Sequence, residues 1–296
     1  MSTFEQLDQQ FRPIIQTALD EYTQFNLTDN RNRLAEAIRY SLLANSKRIR
    51  PLLCIATQQL FNTDITRMMP VACAIEMVHT YSLIHDDLPA MDDDDFRRGQ
   101  PTCHKQYGED IAILAGDVLN TFAFELISRE LPKTYSAEKV IRVIQDLAIS
   151  FGLEGMAGGQ ALDLSGDKDQ DEAYLRTTHA LKTGAILKHC ITIPAFLENA
   201  SDSEQAVLAK FGDHIGLLFQ IVDDILDIKG SKEELGKSPQ KDLLQGKLTY
   251  VSLWGLDGAQ KKADDEAAQA LSCLAQLDNP TDQLQTIVNY VLTRTH

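Results

Sequence analysis

The feature that most constrains the fold is a recurrence of apolar residues at every third or fourth position along most of the chain. The residues before Gly99 include no glycine, and prolines divide the chain into segments of helix length. In the longest such segment the spacing lasts for more than four turns, through Leu208, Phe211, Ile215, Leu218, Val222 and Ile225. This period is typical of amphipathic helices with one face in a core.

Signals for β-strands are weak. No alternating Val, Ile or Thr pattern is bounded by hairpin turns, and the β-branched run at 191–193 is short enough to belong to a buried helix. Ser201 and Glu204 have the spacing of a capping box, which predicts a helix start. We therefore expect an all-α fold of about ten helices, with residues 1–296 forming a single domain because no change in composition marks a boundary.

The overall composition excludes some classes of partner. The 28 basic residues against 43 acidic ones give a net charge of −15, which argues against nucleic acid or an anionic membrane surface as the main partner. A hydrophobic content of 44% is too high for a disordered acidic chain. The five cysteines are scattered and have no zinc-site spacing, and no basic leader or long uncharged apolar stretch is evident. We expect a cytoplasmic protein that is not embedded in a membrane.

Two clusters of aspartates each follow a strongly apolar helical segment. In the first, six of the ten residues 86–95 are Asp; the second contains Asp223, Asp224 and Asp227. A lone acidic run is usually solvated surface. However, so many carboxylates at the negative end of a helix would repel one another unless a cation compensated for them. Ligands that are all oxygen favour Mg²⁺ or Ca²⁺, and the register of an EF-hand is absent.

Helical geometry indicates which of these side chains share a face. Asp223 and Asp227 are about 40° apart around a helix, and Gln220 lies on the same stripe. Asp86 and Asp92 would be about 120° apart on a straight helix. Because Pro89 disfavours a straight helix, we expect a bulge after Asp87 that returns Asp92 to the side of Asp86.

Cationic side chains accompany both clusters. Arg97 and Arg98 directly follow the first one, and further candidates lie at Lys47, Arg48, Arg50, Lys182, Lys237 and Lys247. Each of them alone could be ordinary surface charge. Together with the carboxylates they indicate a diphosphate, which Mg²⁺ would bind on one side and Arg or Lys on the other. A P-loop sequence is absent.

At this point the motifs resemble those of the short-chain trans-prenyl diphosphate synthases, and most of all the bacterial farnesyl diphosphate synthases. The resemblance runs from about Arg39 to the C-terminal helix. Its motifs occur in the family's order: K-R-x-R-P, H-x-x-x-x-x-H-D-D-L-P-A-M-D, R-R-G-x-P-T, K-T-G and G-x-x-F-Q-x-x-D-D-x-x-D.

The resemblance implies a fold, a metal and a set of site residues. The fold is a single large helical bundle around a central cavity, of the isoprenoid synthase type. Three Mg²⁺ ions are implied, with Asp86, Asp92 and Asp223 as direct ligands and Asp87, Asp224 and Asp227 as ligands or support. The implied pocket for the allylic diphosphate consists of Arg97, Lys182, Thr183, Gln220, Lys237 and Lys247. That for isopentenyl diphosphate consists of Lys47, Arg50, His79 and Arg98.

The implied activity is head-to-tail condensation of isopentenyl diphosphate with dimethylallyl and geranyl diphosphate. The residues implied to act directly on the reacting groups are Asp86, Asp92, Arg97, Lys182 and Asp223. In this family an aromatic residue at the position of Tyr81, followed here by Ser82, implies a closed end of the substrate pocket. That closed end would stop elongation of the prenyl chain near C15, so farnesyl diphosphate is the expected main product. A homodimer is implied as well.

One departure from the family pattern concerns a loop. Asn45 and Ser46 stand where the family usually has Gly-Gly, and Ser adopts a positive φ less readily than glycine. A different loop shape and a lower affinity for isopentenyl diphosphate are therefore expected.

Other activities stay open on the sequence alone. They are a geranyl or geranylgeranyl diphosphate synthase, a class I terpene cyclase, and a non-catalytic cation buffer or regulatory subunit. A cyclase typically carries Asn/Ser or Thr/Glu in its second metal motif, which the aspartates at 223, 224 and 227 do not match. A cation buffer would not need arginines and lysines in register with the aspartates.

Overall fold

The computed structural model describes residues 3–165, 171–229 and 247–295. Within these ranges the chain forms thirteen α-helices, which confirms the all-α expectation. They are α1 (Phe4–Tyr22), α2 (Asn32–Leu42), α3 (Ile49–Gln59), α4 (Met69–Asp86), α5 (Cys103–Tyr107), α6 (Glu109–Glu130), α7 (Ala137–Phe151), α8 (Met156–Leu164), α9 (Glu172–His179), α10 (Ala185–Leu197), α11 (Asp202–Lys229), α12 (Tyr250–Leu274) and α13 (Asp282–Thr293). Short 3₁₀ turns lie at Ile65–Met68 and Leu131–Lys133, and a π-helical turn at Ala180–Gly184 joins α9 to α10.

Helices α4 and α11 form the centre of the bundle. Helix α4 is apolar on nearly all sides and packs against α3 and α6, whereas α11 packs against α10 and α12. A helix that is apolar all round is a buried helix. Both carry their aspartates at the C-terminal end, so the core itself brings the two acidic clusters to one part of the molecule.

The capping expectation at the start of α11 is confirmed. The Ser201 hydroxyl accepts from the Glu204 amide, and the Glu204 carboxylate accepts from the Ser201 amide at 2.8 Å. The run at 191–193 lies in α10, as expected for a buried helix.

A small hairpin was not foreseen. Strands β1 (Phe96–Arg97) and β2 (Gln100–Pro101) pair antiparallel around a turn at Arg98 and Gly99, whose φ values are 54° and 78°. Two successive positive φ values are those of the tight hairpin turn that matches strand twist. Only two residues pair on each side, too few for an alternating pattern to show in the sequence.

One helical segment is long and apolar, although no long uncharged apolar stretch was evident in the sequence. Within the described residues, Glu109–Lys133 alone has the length and composition of a membrane span. It contains α6, which packs against α2 and α4, and the core helices of soluble proteins pass the same test.

Candidate active site

The C-terminal ends of α4 and α11 meet at a polar cavity of about 450 Å³. Five of the six aspartates named from the sequence line it: Asp86, Asp92, Asp223, Asp224 and Asp227. The two clusters, which lie far apart in the chain, thus share one site.

Asp87 has a different position from the other five. It is buried and does not appear among the described residues that line the polar cavity. Its carboxylate accepts a hydrogen bond from the Arg97 Nε at 2.6 Å. Asp87 therefore orients an arginine that lines the polar cavity.

The expected bulge after Asp87 is present. Helix α4 ends at Asp86, and the Asp92 amide then donates to the Asp86 carbonyl at 2.8 Å. Asp93 adopts a positive φ of 50°, which lets the chain fold back. The turn places Asp86 and Asp92 on the same side, facing the cavity.

The aspartates of α11 are each tied to a different partner. Gln220 donates to Asp223 at 3.2 Å, as their shared helical face predicts. The other oxygen of Asp223 accepts from Arg294, near the C-terminus. Asp224 accepts from the Tyr250 amide at 2.7 Å, so it caps the first turn of α12.

The carboxyl groups suit a hard divalent cation. Burial raises the pKa of Asp86 to about 6, with the charge of Asp92 adding to the effect and Lys182 opposing it. Among the described residues, no three acidic or imidazole side chains converge closely enough to enclose an ion by themselves. Mg²⁺ is usually held by one or two carboxylates together with water and substrate phosphates, so this open all-oxygen arrangement fits it.

Two lysines of the expected allylic pocket share one acceptor. Lys182 and Lys247 donate to the same oxygen of Asp163, at 2.9 and 3.0 Å. Burial alone would raise the pKa of Asp163, but the two ammonium groups outweigh it and keep that pKa below its ordinary value. All three residues line the polar cavity, as do Arg97, Thr183 and Gln220. Lys237 lies outside the described residues.

A close helix contact positions Lys182 and Thr183. Both lie on the π-helical turn, and Gly159 of α8 packs directly against its backbone. A Cβ at position 159 would overlap the backbone nitrogen of Lys182, so only glycine allows this approach.

Three of the four residues expected to bind isopentenyl diphosphate line the polar cavity: Arg50, His79 and Arg98. Burial and the neighbouring arginines hold the pKa of His79 well below its ordinary value, so the imidazole is neutral near pH 7. Burial lowers the pKa of Arg98 to about 10.

Lys47 lies beside the cavity wall. Within the described part of the chain it does not line the cavity; its ammonium lies 5.7 Å from the ring centroid of Tyr290. Burial and the charge of Arg294 lower the pKa of Lys47 to about 8. Its neighbourhood is thus the C-terminal helix as well as the site.

The loop around Asn45 and Ser46 does not use a glycine conformation. The described residues with a positive φ include neither of them; the left-handed residue here is Arg48, with φ of 48°. The Asn45 side chain accepts from Arg12 at 3.1 Å. The backbone reason for expecting a distorted loop is therefore absent.

An apolar cavity of about 380 Å³ adjoins the polar one. The two share Asp86, Lys182 and Thr183, so the acidic mouth opens onto the apolar wall. Tyr81 and Ser82, both named from the sequence, line this apolar cavity.

Sequence reasoning missed several lining residues. Asp163 lies four positions after the glycine pair at 158 and 159, which is a signal for close backbone approach that was not used. His85 and Met156 also line the apolar cavity. His85 stands in one of the quoted motifs but was given no role, and Met156 was not singled out. Arg294 had no local signal at all, since its partner Asp223 is 71 residues away.

Comparison with known proteins agrees with this geometry. Residues 31–291 match the family described as Polyprenyl synthetase. The chain belongs to the polyprenyl synthetase family. A chloroplastic geranylgeranyl pyrophosphate synthase from Catharanthus roseus is 45% identical to this polyprenyl synthetase over 88% of the chain and 74% of its own length. The farnesyl diphosphate synthase of Bacillus subtilis is 41% identical over 95% of both chains.

Solved structures agree on the fold. A crystal structure of an FPP/GFPP synthase from Zymomonas mobilis superposes with a TM-score of 0.86 and 36% identity, covering 97% of this chain and 98% of the other. This polyprenyl synthetase is therefore a short-chain prenyltransferase with the isoprenoid synthase fold. The family as a whole uses Mg²⁺, and prenyl diphosphates fit it as substrates.

Proposed function

We propose that this enzyme condenses isopentenyl diphosphate with dimethylallyl and then geranyl diphosphate, and that its main product is farnesyl diphosphate (C15). The observation that carries the proposal is the continuity of the two cavities, with Tyr81 and Ser82 on the apolar wall about one and a half helical turns before Asp86. A diphosphate at the aspartates would direct its prenyl chain toward these two side chains.

Asp86, Asp92 and Asp223 are proposed as direct ligands of three Mg²⁺ ions, supported by Asp224 and Asp227. When bound, Mg²⁺ would neutralise the diphosphate and so assist its departure. Asp87 would act through Arg97, whose guanidinium it orients from a buried position.

Cations of the chain would hold the two substrates. Arg97, Lys182 and Lys247, with Thr183 and Gln220, surround the proposed position of the allylic diphosphate, and Lys237 is assigned there on sequence alone. Arg50, His79 and Arg98, with Lys47 beside them, are proposed for isopentenyl diphosphate. A neutral His79 offers a hydrogen bond without adding a further charge to the arginines.

The reaction needs no nucleophile or base from the chain. The allylic C–O bond breaks with its electron pair leaving on diphosphate, and the double bond of isopentenyl diphosphate supplies the electrons for the new C–C bond. A proton is then lost to the departing diphosphate, which restores a double bond. The apolar wall near Tyr81 and Met156 would keep water from the allylic cation.

The remaining proposals concern assembly and location. We propose a single domain over 1–296 that works as a homodimer in the cytoplasm, neither embedded in a membrane nor bound to nucleic acid. Exposed apolar side chains on α6 (Ile113 and Leu114) and after α7 (Leu153) support a homodimer, because a second copy would remove them from water. Light scattering on the purified protein would test it; a monomer at assay concentrations would contradict it.

Product analysis tests the proposed activity. The full chain would be incubated with Mg²⁺, labelled isopentenyl diphosphate and either dimethylallyl or geranyl diphosphate, and the products separated by chain length. C15 should dominate with both primers. A predominance of C20 or C10 would contradict the proposed chain length and indicate a geranylgeranyl or geranyl diphosphate synthase. A cyclic hydrocarbon would indicate a cyclase, and an absence of condensation a regulatory subunit.

A further inference from the structure

Arg48 is an arginine without access to the site. Its side chain is fully buried, and it lines neither the polar nor the apolar cavity among the described residues. It also adopts the left-handed conformation, with φ of 48° and ψ of 37°, which is unfavourable for any residue with a Cβ. A buried charge in a strained backbone persists only where surrounding contacts compensate for it.

Those contacts join four parts of the fold. The Arg48 guanidinium donates to Glu76 of α4 at 2.6 Å and to the Leu42 carbonyl at the end of α2, also at 2.6 Å. It donates further to the Ala44 carbonyl in the following loop at 3.0 Å and to Gln16 of α1 at 3.1 Å. Such bonds to a planar guanidinium hold their partners in one orientation.

The contacts of Arg48 adjoin the residues proposed to bind isopentenyl diphosphate. Lys47 immediately precedes Arg48, and Arg50 follows two residues later. Glu76, only 2% exposed, is about one turn before His79 on α4, and its carboxylate is 4.0 Å from the Arg98 guanidinium. One buried ion pair thus connects the start of α3, with Lys47 just before it and Arg50 in its first turn, to the helix and hairpin that carry the other two proposed ligands.

We propose that Arg48 is a positioning residue for isopentenyl diphosphate: paired with Glu76, it holds Lys47 and Arg50 in register with His79 and Arg98. This rests on the proposed function, since that function assigns these four side chains to isopentenyl diphosphate. The allylic side of the site, around Lys182 and Lys247, is held separately by Asp163. The proposal therefore predicts an effect on one substrate and not on the other.

The test compares KM values for the two substrates in Arg48→Gln, Arg48→Lys and Glu76→Gln. Arg48→Gln should raise KM for isopentenyl diphosphate by about tenfold or more, as for a lost hydrogen-bonded charge pair, and change KM for geranyl diphosphate less than about twofold. Arg48→Lys keeps the charge and should recover part of the loss. Glu76→Gln should resemble Arg48→Gln. Calorimetric titration of each variant with isopentenyl diphosphate alone should show the same weakening of its binding.

Arg39→Gln is the matched control. Arg39 also binds the backbone of a neighbouring segment and one carboxylate, that of Asp20, but it lies outside both cavities among the described residues. It should alter thermal stability without separating the two KM values.

Equal rises in both KM values for the Arg48 variants, or a lower Tm with both KM values unchanged, would overturn the proposal. If Arg48→Gln does not fold, Arg48→Lys and Glu76→Gln decide the question by the same comparison. Failure of the proposed function would instead show in the unmodified enzyme, as an absence of condensation.

Discussion

The Arg294 guanidinium forms an ion pair with Asp223 of the second aspartate cluster, with 2.5 Å between Nη2 and Oδ1. The same guanidinium lies 4.2 Å from the ring centroid of Phe219, one turn earlier on α11, and donates to the Phe219 carbonyl. A residue directly after α13 thus pairs with a carboxylate that we propose as a metal ligand. Arg294 and a divalent cation would compete for Asp223.

Removing that competitor should strengthen metal binding. For Arg294→Gln we expect Mg²⁺ to bind two- to fivefold more tightly in the absence of substrates, about 0.4–1 kcal/mol, because the Asp223 side chain is partly exposed and the pair is screened. Calorimetric titration with Mg²⁺ measures this. Arg142→Gln, which removes an exposed ion pair with Asp146, should leave the affinity unchanged. Equal Mg²⁺ affinities of the unmodified protein, Arg294→Gln and Arg142→Gln would show that Arg294 does not compete with Mg²⁺ for Asp223.

Mg²⁺ affinity should also depend on pH near 6. The pKa of Asp86 is raised to about 6 by burial, whereas its ordinary value is 3.8, so below pH 6 the folded, metal-free protein carries a proton there. Mg²⁺ requires the ionised group, and its affinity should fall about tenfold per pH unit below 6. Titrations in buffers of different ionisation enthalpy should detect proton release at pH 5.5 and almost none at pH 8. Affinity that stays constant between pH 5 and 8 would contradict this assignment.

Tyr81 should limit product length. Replacing it by Ala enlarges the apolar cavity where, under the proposed function, the growing chain would lie, so C20 and longer products should replace C15 as the main products. Product chromatography measures the shift. Tyr107→Ala is a suitable control, since Tyr107 is also partly buried but packs edge-to-face against Tyr40 away from the apolar cavity. An unchanged product distribution in Tyr81→Ala would mean that another residue forms the closed end of the pocket.

Gly159 should be intolerant of any side chain. In Gly159→Ala the added Cβ meets the backbone nitrogen of Lys182, which no rotamer change can relieve, and a loss of about 1–3 kcal/mol in the free energy of unfolding is expected. Gly184→Ala is the matched control. Its Cβ would meet only the His179 carbonyl at 3.5 Å, and alanine favours a helix by up to about 1 kcal/mol. Urea unfolding compares the two; similar stabilities would show that α8 can move away from the π-helical turn.

Glycine at positions 45 and 46 should have little effect on substrate binding. Because neither Asn45 nor Ser46 has a positive φ, Asn45→Gly/Ser46→Gly should change KM for isopentenyl diphosphate less than about twofold. The variant should lose about 0.5–1 kcal/mol of stability per glycine from backbone entropy. Steady-state kinetics and urea unfolding measure both. A markedly lower KM would restore the sequence-based expectation that this loop weakens binding.

Much of the architecture was predictable because it depends on local spacing. The apolar period of α11, the capping box at Ser201 and the turn expected from Pro89 each involve residues a few positions apart, and each prediction is confirmed. The hairpin at Arg98 and Gly99 was missed since two paired residues leave no periodic signal. The shared helical face of Gln220 and Asp223 was also predicted correctly, because it too depends on residues only three positions apart.

The sequence by itself determined which segments are helical, where the carboxylates and cations occur, and which of them share a helix face, because those properties repeat within a few residues. Only the tertiary structure decided which distant side chains meet. Asp163 joins Lys182 to Lys247, Arg48 joins a loop to Glu76, and Arg294 reaches Asp223. Such contacts depend on how buried helices pack against one another, and helical periodicity carries no information about the partner across the core.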